Sequence, residues 1–413
     1  MRHYLLHVTY IIYFSPLPMK MYTLLLVGLL LMIAIPDIYF YRHLKKKESK
    51  PVFFVLHFVP AAFFALLFLY MKFGLESARN FRVVAWVMWL VFSFLLIYIP
   101  KIIHILFFLL HIAYQKAFKR ESVYFDVLRI ITNIIVVVTL LISAFITPRS
   151  FDVTHVTVSI PDLPKQFDGY RIVQLSDIHL GSWNHKFDHL KPVITLVNNQ
   201  HPDIIVFTGD MVNNYAGEAQ GWESSFRKMK ARDGKYAILG NHDYGDYTNW
   251  PTAADKNQNK QQIRNNIRQL GFQLLLNDHT WLHRGKDSLA LIGVENWGKS
   301  AEYRYSRLEK AIRGLDKQSP KILLSHDPNQ WDAEIIGHQD IVLTLSGHTH
   351  AAQLGLKIRN LFLSPASIVF KHWAGLYKEN NQYLYVNRGI GYIGLPMSVG
   401  VRPEITVITL VDK

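Results

Sequence analysis

The stretch Ala237-Ile238-Leu239-Gly240-Asn241-His242-Asp243-Tyr244 decides how the rest of this chain is read. A short apolar run of strand-like composition meets a glycine, then presents an amide, an imidazole and a carboxylate in three consecutive residues. Turn chemistry accounts for many Gly-Asn clusters, because Asn and Asp tolerate the backbone conformations that turns require. Taken alone, the run fits either a polar turn or the rim of a reaction site.

Four other apolar runs end in the same manner. Ile172–His179 closes on Asp177 and His179, Ile204–Asp210 on Gly209-Asp210, Ile322–Asp327 on His326-Asp327, and Val342–His350 on Gly347-His348-Thr349-His350. Asp177 and His179 are two residues apart, as are His348 and His350, so each pair can point one way from extended backbone. One such pair could be a solvated strand end; five such endings in one region are not explained that way. The set closely resembles the calcineurin-like metallophosphoesterase superfamily, whose blocks read D-x-H, G-D, G-N-H-D/E, H and G-H-x-H in that order. The resemblance covers about Asp152 to Lys413 and departs at none of the five blocks.

Composition separates the chain into two parts. Half of its 413 residues are hydrophobic and the net charge is +14. Both excesses lie in residues 1–150, which hold nearly all the long apolar runs and carry 16 Lys/Arg against five Asp/Glu. A basic excess on loops beside apolar spans suits anionic headgroups. The remainder carries 29 Lys/Arg against 26 Asp/Glu, too balanced for a nucleic-acid binder, and no nucleic-acid partner is expected. The chain has no cysteine, which excludes disulfides and thiolate metal sites and leaves His, Asp, Asn and Glu as ligands.

Four spans are expected in residues 1–150, each near the ~20 apolar residues a bilayer core demands. They cover about residues 22–41, 52–71, 83–99 or longer, and 130–146, an all-α bundle. Tyr10–Phe14 is too short to span, and Pro36 and Asp37 are expected at the interface. The first span lacks a following A-x-A-like cleavage site and reads as an anchor. Ile102–Tyr114 either prolongs the third span or lies along the interface; its His104 and His111 have no acidic companions and read as interfacial. The loops Arg42–Lys50 and Gln115–Arg129 carry nine Lys/Arg, against six on the other set of loops. The positive-inside rule then puts residues 151–413 outside the cytoplasm of a bacterial inner or plasma membrane. A separate span at Ile102–Tyr114 would reverse that orientation.

From Phe151 the pattern becomes α/β. Val153–Ser159 alternates like a strand, and further strands end at Ser176, Thr208, Leu239, Val294, Ser325 and Ser346, with late ones at Tyr383–Asn387 and Glu404–Leu410. Helices are expected at Lys186–Asn199, Lys256–Leu270 and Ala301–Leu315. Alternating strands and helices make a sheet with helices outside, and sites on such sheets gather beyond the carboxyl ends of strands, where all five blocks fall. The resemblance adds a four-layer αββα sandwich, which periodicity does not specify.

Phosphoester hydrolysis needs a hydroxide nucleophile at neutral pH and compensation for charge on the phosphoryl oxygens. Two metal ions roughly 3.5–4 Å apart supply both. The resemblance implies that Asp177, His179 and His350 join a bridging Asp210 on the first ion, and that Asn241, His326 and His348 join it on the second. Such nitrogen and oxygen ligands suit Mn, Fe or Zn. It further implies that His242 stabilises or protonates the leaving group while Asp243 orients its imidazole. Asp327 is either support for His326 or plain solvation, and His155, His185, His189, His279 and His283 read as surface or packing residues. The tail Val386–Tyr392 with Arg402-Pro403-Glu404 resembles the membrane-anchored bacterial branch of the superfamily, which includes a UDP-2,3-diacylglucosamine pyrophosphatase. Arg388 and Arg402 are candidates to hold a substrate phosphate, or form loop salt bridges. His372, Trp373 and Tyr377, beside Phe362–Phe370, form an apolar lip for a lipid or belong to the core. The expected function is a membrane-bound, metal-dependent hydrolase of phosphoester or pyrophosphate bonds, on a phosphorylated and lipid-linked partner. Alternatives are a phosphodiesterase of soluble nucleotides and a non-catalytic membrane ligand sensor.

Overall fold

The computed structural model describes residues 19–412 apart from 48, 74–80, 184–188, 299, 317–318, 339 and 360. Tyr10–Phe14, most of the Lys72–Arg82 loop and His185 lie outside the described residues. The chain divides into a helical unit ending at Ala144 and a second unit that runs from Phe145 to Lys413.

The helical unit holds α1 (Met19–Lys46), α2 (Pro51–Phe73), α3 (Phe81–Phe118) and α4 (Tyr124–Phe145). All four are long and apolar enough to cross a membrane. Ile102–Tyr114 is the second half of α3, a single helix of 38 residues that continues through Pro100. At ~1.5 Å per residue it runs to about 57 Å, far more than a ~30 Å hydrocarbon core requires. His104 packs against the rings of Tyr39 and Phe40, and His111 stacks on Phe125.

Asp37 lies between helices. It is only 3% exposed. Its carboxylate accepts hydrogen bonds from Tyr98 Oη at 2.8 Å and Lys101 Nζ at 2.6 Å, and His57 Nε2 stands 3.4 Å from it. The reason is electrostatic: a carboxylate among apolar helices is tolerated where an opposite charge and hydrogen-bond donors meet it. The Phe64 and Phe94 rings pack beside Tyr98, and Phe68 packs on both of them.

The second unit contains fourteen strands among the described residues. They are β1 (Asp152–Ile160), β2 (Arg171–Leu175), β3 (Ile204–Phe207), β4 (Lys235–Ala237), β5 (Gln273–Leu274), β6 (Asp278–Arg284) and β7 (Asp287–Gly293). After them come β8 (Lys321–Leu324), β9 (Ile341–Ser346), β10 (Leu356–Ile358), β11 (Leu361–Leu363), β12 (Gly375–Glu379), β13 (Gln382–Val386) and β14 (Glu404–Asp412). Two six-stranded sheets form, ordered β1-β14-β2-β3-β4-β5 and β12-β13-β9-β8-β7-β6, while β10 and β11 pair alone. The centres are parallel, β2-β3-β4 in one and β9-β8-β7 in the other. Central parallel strands are buried on both faces, which is why they read as unbroken apolar runs.

Ile172, Ile204, Val206 and Tyr236 of the first sheet meet Leu291, Ile322, Leu324, Leu343 and Tyr385 of the second. Outside the first sheet lie α5 (Lys191–Asn198) and α6 (Ala253–Gln269), through Val193, Val197, Ile263 and Ile267. Thr252 and Asp255 cap α6 reciprocally. Outside the second sheet a thinner layer packs through Leu308, Ala311, Trp331 and Ile335. This is the four-layer αββα sandwich that the resemblance implies.

Two helices differ from expectation. α5 begins only at Lys191, with Pro192 in its first turn, the position where a missing N–H costs nothing. Ala301–Leu315 is not one helix but two short turns, Ala301–Tyr303 and Leu308–Ala311. Between them Tyr305 stacks on Tyr244 with ring centroids 4.0 Å apart, and Asn277 Oδ1 accepts from Arg307 N. Those tertiary contacts outweigh the local helical preference.

The Asp37 cluster makes a stability prediction. Asp37→Ala strands the Lys101 ammonium among apolar helices and should destabilise the detergent-solubilised chain by about 3 kcal/mol. Changing Asp37 and Lys101 together to Leu should restore most of that loss. Thermal unfolding followed by tryptophan fluorescence checks both, and an equal loss in single and double variants would show the pair is not coupled.

Candidate metal centre

Every candidate ligand sits just past a strand end. Asp177, His179, Asp210, His348 and His350 all have left-handed backbone, with φ of 52°, 50°, 60°, 76° and 49°. For residues with a Cβ this conformation costs roughly 1–2 kcal/mol each. Such strain persists only where surrounding structure over-determines it. Here it does: Asp177 N donates to Gly209 O at 2.9 Å, His179 N to Asp210 O at 3.1 Å, and Gly347 N to His326 O at 3.0 Å. A Cβ on Gly240 would strike the Asp210 carboxylate, so the glycine of the Gly-Asn-His-Asp block is a requirement of close approach.

Six side chains form two groups, Asp177 with His179 and His350, and Asp210 with His326 and His348. Ligand atoms within each group lie within 4.8 Å of one another. In the first, His179 Nε2 faces His350 Nε2 at 3.1 Å, and His350 Nε2 stands 3.3 Å from Asp177 Oδ1. In the second, His326 Nε2 lies 3.2 Å from Asp210 Oδ2, 2.9 Å from Asn241 Oδ1 and 3.2 Å from His348 Nδ1. Asp210 Oδ2 also stands 3.7 Å from His179 Nε2, so one oxygen touches both groups.

Hydrogen bonds outside the cluster fix which atoms turn inward. His326 Nδ1 donates to Thr208 O at 2.7 Å, which aims Nε2 at the cluster. Asn241 Nδ2 donates to Tyr247 Oη at 2.8 Å, which turns Oδ1 inward to within 2.8 Å of His348 Nδ1. The inner surface is thus made of lone pairs.

Burial holds His179 and His348 well below the usual imidazole range and lowers His350, so these rings are neutral and ready to ligate. His326 goes the other way. Burial opposes its charge, but the Asp210 carboxylate overrides this and pushes it up to about 10. Burial likewise opposes the Asp210 charge, and His326 and His242 hold that carboxylate well below its ordinary range. The cluster therefore demands positive charge, which a proton on His326 or a divalent cation supplies. Neutral imidazoles, carboxylates and an amide oxygen fit a divalent cation.

His242 and Asp243 are both at the site, but Asp243 does not orient the imidazole. Its carboxylate accepts instead from Asp210 N and Gly240 N through Oδ2, and from Met211 N and Val212 N through Oδ1, at 2.9–3.1 Å. Burial, with Asp210 beside it, pushes this carboxyl up to about 7. The His242 ring is held by Asn213 O, which accepts from Nδ1 at 2.8 Å, and by Tyr247, stacked at 4.4 Å. Its backbone N–H donates to Asp210 Oδ1.

Sequence reasoning missed Asn213, Glu218 and Tyr247. Glu218 is buried and accepts from Gly181 N and from the backbone of Asn213, Asn214 and Tyr215. It ties the turn after His179 to the loop that holds His242. Nothing in the spacing of a lone loop glutamate marks it.

Arg388 and Arg402 line one pocket with His350. Both are engaged in ion pairs, Arg388 Nε with Glu404 at 2.9 Å and Arg402 with Asp152 at 3.3 Å. Asp327 accepts from Asn329, and His372 belongs to the core, facing Asp332. Thr349 Oγ1 donates to Trp373 O, and Tyr377 Oη accepts from Trp373 N. Of the three, His372 is buried, while Trp373 and Tyr377 are half-buried. His189 packs on Trp183, and His279 Nδ1 meets Ala311 O.

Comparison with known proteins agrees with this geometry. Residues 170–352 match the family described as calcineurin-like phosphoesterase. A Danio rerio transmembrane protein with metallophosphoesterase domain is 31% identical over 72% of this chain and 65% of its own length. Its Bos taurus counterpart is 33% identical over 62% of this chain and 56% of its own length. The chain thus spans less than two thirds of these two relatives. The uncharacterized metallophosphoesterase YkuE of Bacillus subtilis is 33% identical over 64% of this chain and 87% of its own length. One-third identity across most of a bacterial relative decides the matter: the chain belongs to the calcineurin-like metallophosphoesterases.

Proposed function

We propose that the chain is an integral membrane hydrolase that cleaves a phosphoester or pyrophosphate bond in a lipid-linked substrate, using two divalent cations of Mn, Fe or Zn. The observation that carries this reading is Asp210 Oδ2, shared between the two imidazole–carboxylate groups. Asp177, His179, His350 and Asp210 would hold one ion, and Asn241, His326, His348 and Asp210 the other. When bound, such a pair activates water and neutralises charge on the phosphoryl oxygens.

The chain's own residues do the rest. Asn213 O engages His242 Nδ1, which leaves Nε2 to give a proton to the leaving oxygen and stabilises the ring when charged. Asp243 holds the backbone N–H groups of residues 210–212 and so sets where the Asp210 carboxylate stands. Tyr247 keeps the oxygen of Asn241, not its nitrogen, turned inward. Arg388, already paired with Glu404, lines the pocket floor beside His350 and offers positive charge to a phosphate.

The lipid-linked class is supported by position along the chain. α4 ends at Phe145 and β1 begins at Asp152, so a short tether joins the catalytic unit to a membrane span. Such a tether holds the site at high local concentration of membrane-resident substrate. The catalytic unit lies outside the cytoplasm on this reading, because nine Lys/Arg lie on one set of loops against six on the other. The continuity of α3 supports the count of four spans on which that orientation rests.

The full chain supplied with Mn should hydrolyse an aryl phosphodiester, and Asp210→Asn should abolish this. His242→Ala should slow turnover roughly 10²–10⁴-fold with metal content unchanged, and less for substrates with good leaving groups. No hydrolysis with any of the three metals would leave a ligand-binding sensor as the better reading. Equal losses for good and poor leaving groups would remove His242 from proton transfer. For topology, a cysteine appended after Lys413 should react with a membrane-impermeant maleimide in intact cells. Reaction only after lysis would put the site in the cytoplasm.

A further inference from the structure

The β10–β11 ribbon carries a face that the catalytic site does not use. Leu356 pairs with Leu363 and Ile358 with Leu361, so the four side chains share one face. They are 57%, 48%, 51% and 57% exposed in that order. The other face carries Lys357, exposed, opposite Phe362, which lies against Trp373 with ring centroids 5.1 Å apart. Leu354 and Ile368, just outside the ribbon, are also exposed. A lone two-stranded ribbon is marginal in water, and a contiguous exposed apolar face marks a place of interaction.

Charge narrows the occupant. Lys357, Arg359 and Lys371 are exposed, and no Asp or Glu occurs between Leu354 and Lys371. An apolar face flanked on the ribbon by Lys357 and Arg359, with Lys371 beyond it paired to Asp332 at 2.8 Å, matches the boundary between anionic headgroups and acyl chains. Connectivity agrees. The base of the ribbon is tied to residues 399–403, with Gly355 N donating to Val399 O at 2.8 Å. A few residues on, Arg402 pairs with Asp152 and Pro403 O accepts from Asp152 N, at the strand that follows α4. The ribbon and the start of β1 are thus both tied to the segment of residues 399–403.

We propose that the face of Leu356, Ile358, Leu361 and Leu363 enters the headgroup–acyl boundary of the bilayer crossed by the four helices, while Lys357 and Arg359 meet anionic headgroups. The ribbon is also rooted in the metal centre. Ser364 Oγ donates to Ala351 O, next to His350, at 2.7 Å, and the Phe370 ring packs on His348 at 5.6 Å. Docking therefore brings lipid-borne phosphates to the site. The docking stands without the catalytic reading; only the delivery of lipid phosphate rests on it.

The absence of native cysteine makes the test direct. Leu361→Cys and, as an exposed control outside the ribbon, Lys310→Cys carry an environment-sensitive fluorophore in the full chain, reconstituted in vesicles containing anionic lipid. Lipids with a nitroxide near the headgroup should quench the Leu361 label several-fold more than the control, and aqueous iodide should do the reverse. Equal behaviour of the two labels overturns the proposal, as does protection from iodide without lipid quenching, which would mean a protein surface such as a second copy. A second variant, Ile358→Asp with Leu361→Asp, should cut the rate on a vesicle-borne phospholipid substrate about tenfold and leave soluble aryl diester hydrolysis unchanged. Equal loss on both substrates would show that the ribbon supports the fold and would overturn docking.

Discussion

The carboxylate of Asp210 is the constraint on which the rest of this structure depends. It is buried, yet burial alone would drive it neutral, so the chain surrounds it with imidazoles and backbone donors that keep it charged. The residue itself stands in left-handed backbone, and Gly209 and Gly240 leave the room that its close neighbours require. Asp243 then clamps the N–H groups of Asp210, Met211 and Val212 from behind. Two adjacent carboxylates are thereby given opposite tasks. One faces the cluster as an anion, and the other, pushed up by burial and by its neighbour, holds backbone.

Much of this was legible in the sequence because the determining features are local. Apolar runs of four to six residues, each ending in ligating side chains, identify both the parallel strands and the rim above them. The register of each run carries its own evidence, as with Asp177-Ile178-His179. What was not legible depends on contacts between distant segments. The role of Asp243 could not be read from its place beside His242, since its partners are the backbone of residues 210–212. Glu218 and Tyr247 act through loops with no motif of their own. The segment Ala301–Leu315 has helical composition but is opened by Tyr305 stacking on Tyr244 and by Asn277 holding Arg307. The burial of Asp37 was not legible either, because hydropathy does not register a partner 64 residues away, the Lys101 that pairs with it.

The two units express one physical theme. In each, a carboxylate excluded from water is made tolerable by basic side chains brought from other segments. Among the helices the balance is complete, with Asp37 satisfied by Lys101 and Tyr98. At the strand ends it is not: lone pairs outnumber protons, and one imidazole is driven to take charge. That imbalance is what a divalent cation would relieve.

The account's central claim is that two divalent cations sit on either side of Asp210. Anomalous scattering from crystals of the full chain grown with Mn tests it most directly. The account predicts two peaks about 3.5–4 Å apart, one beside Asp177, His179 and His350 and one beside Asn241, His326 and His348, with Asp210 between them. A single peak at saturating Mn, or two peaks that Asp210 does not join, would contradict it.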